Sequence, residues 1–317
     1  MPFNNLCTLV TGGAGFIGSH LVAGLLERGA TVKVIDNLTT GKMENLAPFG
    51  HRIEFIRGDI RDDDAVDAAV RGADLVFHQA AVVSVPLSVK DPGGSAEVNE
   101  IGTLKVMDAA RRHGVKRMVL ASSSAVYGSD PTLPKHEAMT PGFLSPYALQ
   151  KLVNENYADL YHRLYGFETV CLRYFNVFGP RQDPSSPYSG VISIFMERAT
   201  KGKAPVIFGD GEQSRDFIFV DDVVGANLAA AVASGSPGKT YNIGCGGSIT
   251  VNNLWRRVAA LAALNVSASY MPAREGDIRH SVADASRARD DLGFEPAVAF
   301  ETGLKRTYDW FRSNAGA

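Results

Sequence analysis

The sequence predicts an α/β protein: a doubly wound parallel sheet with a smaller α/β lobe at its C-terminal end. Three observations predict it. Short apolar strand-like runs alternate with longer helical periodicities across the first half of the chain. A glycine-rich stretch, Thr11-Gly-Gly-Ala-Gly-Phe-Ile-Gly-Ser-His20, joins the first such run to the first helical pattern. After about residue 175 the texture changes, with Pro180, Pro184 and Pro187 marking a loop and shorter elements following it. Apolar strands separated by helices imply right-handed crossovers and a sheet covered on both faces, which is the Rossmann-type arrangement.

The elements fall in order. A strand at 6–11 leads into a helix at 16–28, with Ile17, Leu21 and Leu25 on one face. Strands follow at 31–35, 53–57, 75–78 and 118–121, and helices at 62–70, 98–113 and 146–165. Residues 1–175 then form a dinucleotide-binding domain. Shorter elements at 192–200, 205–208, 220–233, 240–243, 251–264 and 300–311 suit a substrate lobe over 176–317. The chain is expected to cross back between the two.

Composition narrows the function. A chain of 317 residues suits a two-lobed enzyme. Apolar residues make up 45% and charged residues 21%, which is ordinary for a globular protein. A net charge of −2 gives no global positive field to draw in nucleic acid or acidic membranes. No apolar run reaches the ~18 residues of a membrane span, and no leader pattern opens the chain. Cys7, Cys171 and Cys245 are far apart and lack metal-ligand spacing, so no metal is expected. Cys7 and Cys171 lie in apolar runs and read as buried free thiols, in keeping with a cytoplasmic location.

The glycine stretch carries chemistry. Gly13-Ala-Gly15-Phe-Ile-Gly18 matches the dinucleotide fingerprint, and Gly12, Gly15 and Gly18 match its other common spacing. Glycine permits a tight turn, close approach of backbone to a pyrophosphate, and close helix–strand packing. The helix that follows aims its N-terminal N–H groups at the phosphates. Asp36 ends the second strand 18 residues after Gly18, where a carboxylate accepts from ribose hydroxyls and repels a 2′-phosphate. Asn37-Leu-Thr-Thr-Gly41 supplies no arginine, so NAD is favoured over NADP. A turn-capping aspartate is the plainer alternative at that position.

Tyr147 and Lys151 are four residues apart on a predicted helix and share a face. A phenol with a pKa near ~10 is a poor base. A neighbouring ammonium and a positive nicotinamide ring would favour its phenolate. Ser122, Ser123 and Ser124 close the preceding strand at its carboxyl end, where such sheets bind ligands. A serine there can hydrogen-bond a substrate alcohol. Any one of these motifs alone is weak; His78, at a strand end, reads as structural.

Together these segments, with Gly58-Asp-Ile60, His78-Gln-Ala-Ala81, Arg173-Tyr-Phe-Asn-Val-Phe-Gly179, Arg215-Asp-Phe-Ile-Phe-Val-Asp221 and Arg274-Glu-Gly-Asp277, resemble the extended short-chain dehydrogenase/reductase family over nearly the whole chain. Within it they are most similar to the UDP-hexose 4-epimerases, particularly the bacterial kind acting on UDP-N-acetylglucosamine. The resemblance implies NAD held by Gly12, Gly15, Phe16, Ile17, Gly18, Asp36, Asn37 and Gly41, with Asp59 and Ile60 at the adenine. It implies Ala80, Ala81 and Val82 on the nicotinamide side and Tyr174 against the nicotinamide. Ser123, Tyr147 and Lys151 match the catalytic set. A UDP-sugar is implied as substrate: Asn176, Arg215 and Arg274 at the diphosphate, Asp277 at the uridine ribose, Val206 and Phe208 at uracil, with Ser84 and Val191 also on the substrate side.

The departures bear on specificity. Some epimerases of this family carry a lysine after the strand ending at His78; here the loop reads Val82-Val-Ser-Val. Ser281 stands where glucose-restricted relatives have a bulky tyrosine, and a small residue leaves room for a 2-acetamido group. The 4,6-dehydratases need an Asp-Glu pair where this chain has Ser124 and Ala125, and the glucuronate decarboxylases have a glutamate there. A UDP-glucuronate 4-epimerase stays open, as does a catalytically silent NAD-sensing protein. The resemblance also implies a homodimer through the helices at 98–113 and 146–165.

Overall fold

The computed structural model describes residues 2–185, 190–273 and 278–314. Strand β1 (Cys7–Thr11), helix α1 (Phe16–Glu27), strands β2 (Thr31–Asp36) and β3 (Ile53–Arg57), helix α2 (Asp63–Val70) and strand β4 (Leu75–His78) open the chain. Helices α3 (Val85–Lys90) and α4 (Pro92–Ala96) and a π-helical turn at Glu97–Gly102 run into α5 (Thr103–Arg112). Then come β5 (Arg117–Ser123), α6 (Pro146–Tyr165), β6 (Glu168–Tyr174) and β7 (Asn176–Phe178). The second half holds α7 (Val191–Thr200), β8 (Val206–Phe208), β9 (Ser214–Arg215), β10 (Phe217–Phe219), α8 (Val220–Val232) and β11 (Lys239–Ile243). It closes with β12 (Ile249–Thr250), α9 (Val251–Leu261), β13 (Ser269–Met271), β14 (His280–Ser281), α10 (Ser286–Leu292) and α11 (Phe300–Asn314).

Seven strands make one parallel sheet in the order β11-β6-β5-β4-β1-β2-β3. The strand order reverses between β1 and β4, which opens a crevice beyond their carboxyl ends. The chain does cross back: β11, well past residue 176, pairs with β6, and α8 packs against α1. Leu21, Leu25, Val223 and Ile218 fill one side of the sheet; Val66, Val106, Met107 and Leu120 fill the other. A third core, with Phe178, Phe195, Phe219 and Trp255, stands under the smaller lobe.

Local sequence explains the long helix that bears Tyr147. Ser145 accepts the N–H of Ala148, Pro146 occupies the first turn, and Gly166 ends the helix at φ 65°. The expected single helix at 98–113 is instead a π turn followed by α5, and the side chain of Asn99 within that turn bonds Val82 in the loop beyond β4. Cys171 is buried as expected, whereas Cys7 is half-buried and Cys245 exposed; all three are free thiols.

Candidate active site

The glycine turn is built by contact, not only by flexibility. Gly12 has φ 67°, and a methyl group there would lie 2.8 Å from the Ala80 backbone. A methyl group at Gly18 would sit 2.2 Å from the Gly12 carbonyl oxygen. Gly15 caps α1 without a side chain, so the N–H groups of its first turn stay open to an anion. This backbone-lined cradle fits a dinucleotide pyrophosphate, with Phe16 and Ile17 opening the helix beside it.

Asp36 is buried at the end of β2; its carboxylate accepts the N–H of Ala14 at 2.9 Å and of Leu38 at 2.8 Å. Gly41 is pressed against it: a methyl group there would lie 2.7 Å from a carboxylate oxygen. Asn37 donates to Asp59 at 2.8 Å, and Arg61 holds the Asp59 carboxyl well below the usual range. Ile60 is buried beside them. Ala80 donates to the Thr11 hydroxyl, and Val82, just beyond Ala81, donates to Asn99 at 2.8 Å. The Tyr174 hydroxyl accepts from Asn227 at 2.8 Å, and burial pushes its phenol up to about 12.

His78 is a strut, as its position suggested. Its ring lies between the Thr11 and Thr103 hydroxyls, 2.9 Å from each, and burial lowers its pKa to about 3. His20, on α1, is lowered to about 4 by burial. Unfolding frees both to take a proton below about pH 6.5. Their stabilising contribution is therefore full above that pH and is lost as pH falls toward these folded values. The denaturant midpoint should drop between about pH 6.5 and pH 5, and His78→Gln should make that drop smaller. An unchanged pH dependence in the variant would remove the strut from the acid sensitivity.

Ser123, Tyr147 and Lys151, the candidate catalytic residues, lie at the carboxyl edge of the sheet. Ser123 ends β5; its hydroxyl accepts the N–H of Ala125 at 3.1 Å and lies near enough to the Tyr147 phenol to favour its charged form. Tyr147, Lys151 and Glu155 line one face of α6, all buried. Lys151 Nζ donates to the Ala121 carbonyl at 2.9 Å and lies 5.9 Å from the Tyr147 ring centre. In the protein alone burial pushes the Tyr147 phenol up, and the nearby Ser123 hydroxyl pulls it down. Burial also lowers Lys151, to about 8.

On the substrate side, Asn176 Nδ2 donates to the Asp216 carbonyl at 3.1 Å. Asp216 is no surface partner of Arg215: it is wholly buried and accepts the N–H groups of Cys245, Gly246 and Ala283. Arg215 Nη1 donates to the Ser214 carbonyl at 2.9 Å. Ser281 on β14 is buried and stands in register with Arg215 on β9. Val206 and Phe208 bracket β8, which pairs with β13. Val191 opens α7, and Ser84 caps α3. Arg274 and Asp277 lie outside the described residues. Among the described residues no group of three or more His, Cys, Asp or Glu is placed to hold a metal ion, and no helix is long and apolar enough to cross a membrane.

Sequence reasoning missed Asn99. Fully buried, it holds Val82 by both N–H and carbonyl and donates to Gln150 at 2.7 Å. Asn154 returns a bond to its carbonyl at 2.8 Å. The faint signal was a polar residue inside an apolar helical run.

Residues 8–244 match the model of the NAD dependent epimerase/dehydratase family. The chain belongs to that family. It is 40% identical over 312 residues to the UDP-glucose 4-epimerase of Mycolicibacterium smegmatis, covering 97% of this chain and 99% of that one. Its structure is similar to the UDP-N-acetylglucosamine 4-epimerase of Methanobrevibacter ruminantium M1 in complex with UDP-N-acetylmuramic acid, with TM-score 0.94, 41% identity and coverage of 98% and 99%. It is also similar to the Thermus thermophilus UDP-glucose 4-epimerase in complex with NAD, with TM-score 0.89, 40% identity and coverage of 97% and 99%. As a member of this epimerase/dehydratase family the chain uses NAD, and the glycine cradle and Asp36 are the groups that fit it.

Proposed function

We propose that the protein is a 4-epimerase of UDP-hexoses, accepting UDP-GlcNAc and UDP-GalNAc as well as UDP-Glc and UDP-Gal. One observation carries the reading: a buried Ser123–Tyr147–Lys151 set shares the carboxyl edge of the sheet with the glycine cradle, with Ser124 and Ala125, not carboxylates, beside it. The relatives' activities and the family's use of NAD support it.

In this reading the Tyr147 oxygen takes the proton of the sugar 4-hydroxyl, and the Ser123 hydroxyl steadies the same oxygen. NAD, when bound, accepts the hydride of C4 and gives it back. Arg215 and Asn176, with Arg274 and Asp277 by resemblance, hold the UDP while the flat 4-keto sugar turns over. Tyr147 then returns its proton to the inverted alcohol. Deuterium at C4 of UDP-glucose should therefore remain at C4 in the product; its loss to water would overturn this order of events.

Ser281 is the specificity position of the proposal. Its burial beside Arg215 supports a place next to the held diphosphate. Ser281→Tyr should cost at least tenfold in kcat/KM on the acetamido sugars and spare the glucose pair, since unrelieved overpacking costs about 1–3 kcal/mol. Equal losses on both would sink the gatekeeper role. A cytoplasmic homodimer completes the proposal. The free thiols support the compartment, and exposed Leu149, Tyr157 and Leu164 on α6 with Ile101 before α5 support the pairing face.

A further inference from the structure

We propose that Glu155 is a positioning residue for the reacting pair: one buried carboxylate locks the strand ends that carry Ser123 and Tyr174 and faces Lys151 from one helical turn away. The inference rests on Tyr147 and Lys151 being that pair.

Glu155 follows Lys151 by one helical turn, as Lys151 follows Tyr147, so the three side chains stack along one face of α6. Glu155 Oε1 accepts from the Ser122 hydroxyl at 2.5 Å and from Arg173 Nε at 2.9 Å, and Oε2 accepts from Arg173 Nη2 at 2.7 Å. Ser122 and Arg173 face each other across β5 and β6, one residue before Ser123 and Tyr174, which are likewise in register. A single carboxylate therefore clamps both strands just short of the residues expected at the substrate and the nicotinamide. Arg173 continues the chain: its Nη1 donates to the Tyr127 hydroxyl at 2.9 Å, and that hydroxyl donates to Asn242 at 2.6 Å.

The same carboxylate acts on Lys151. Around the ammonium stand Tyr147 and Glu155 on α6, the Ala121 carbonyl on β5, Cys171 and Arg173 on β6, and His78 on β4. His78 is neutral and the Cys171 thiol is pushed up by burial, so neither carries charge. Burial works to strip the proton from Lys151, and Cys171 and Glu155 work to keep it; with the thiol itself pushed up by burial, Glu155 is the one of the two that carries charge. A buried ion pair such as Glu155–Arg173 is seldom the most stable filling of its space, which favours a role beyond stability.

The test is the titration of Lys151 in the full-length protein, followed by NMR on lysine labelled at Cε and assigned by loss of its signal in Lys151→Met. The readout needs no substrate, so it stands or falls apart from the epimerase reading. Glu155→Gln should move the Lys151 midpoint down by about one pH unit or more, because an opposite charge one helical turn away has been removed. The alkaline limb of kcat should move by the same amount, and Glu155→Asp should restore both. Should Glu155→Gln not fold, Arg173→Gln keeps the carboxylate and removes the positive charge that competes for it, so the Lys151 midpoint should move up, and an unchanged midpoint there would equally overturn the proposal. A Lys151 midpoint that stays at its wild-type value in the folded variant, with only the amplitude of kcat reduced, would leave Glu155 a structural residue and overturn the proposal.

Discussion

Tyr147→Phe should give a folded, NAD-containing protein whose turnover is lower by about 10²–10⁴-fold, the usual worth of a general base. The substitution removes one oxygen and leaves the ring in its buried place on α6. Loss of one buried hydroxyl costs about 1 kcal/mol of stability, so the fold should survive. The cofactor cradle is formed by Gly12, Gly15, Gly18 and Asp36 on other elements, so extracted NAD should match the wild type. Loss of rate with retained NAD is the signature of a base. Near-normal rates would remove Tyr147 from that role. Loss of both together would make it a structural part of the cofactor site.

Gly18→Ala should empty the cradle. The added methyl group would meet the Gly12 carbonyl oxygen at 2.2 Å and the Gly13 Cα at 2.8 Å, both backbone atoms that cannot rotate away. The glycine turn must open or α1 must shift, at a cost of about 1–3 kcal/mol or more. Either movement turns N–H groups away from the pyrophosphate, and NAD content in the purified protein should fall at least tenfold. Gly225→Ala on α8 is the control. It is an exposed position in a helix, and a methyl group there meets nothing within 4 Å. Alanine should stabilise it by up to about 1 kcal/mol. Equal NAD content in the two variants would contradict the steric reading of the glycine loop.

The sheet was legible because its signals are local. Residues 53–57 and 75–78 are short apolar strands bounded as predicted, and 146–165 carries both its cap signals and its period. Two- and three-residue strands such as β7, β9 and β14 were not, since no periodicity can declare itself over so few residues. The strand Glu168–Tyr174 went undeclared although Cys171 was read inside an apolar run. Ser123, Tyr147 and Lys151 could be found by spacing because the helix and strand that hold them fix their partners. Asn99–Val82 and Glu155–Arg173 could not, because each joins separate elements whose meeting is a property of the packed fold. The burial of Tyr147 is of the same kind: its spacing from Lys151 is visible in sequence, whereas the desolvation that pushes its phenol up is not.

The most direct measurement is proton NMR of the purified protein with UDP-GlcNAc and, separately, with UDP-Glc, no NAD being added. The galacto-configured anomeric signal should grow in both tubes, which requires 4-epimerisation, a retained cofactor and a pocket that admits the acetamido group. Growth with UDP-Glc alone would contradict the Ser281 reading. Silence in both tubes that persists after NAD is supplied would contradict the proposed epimerase itself.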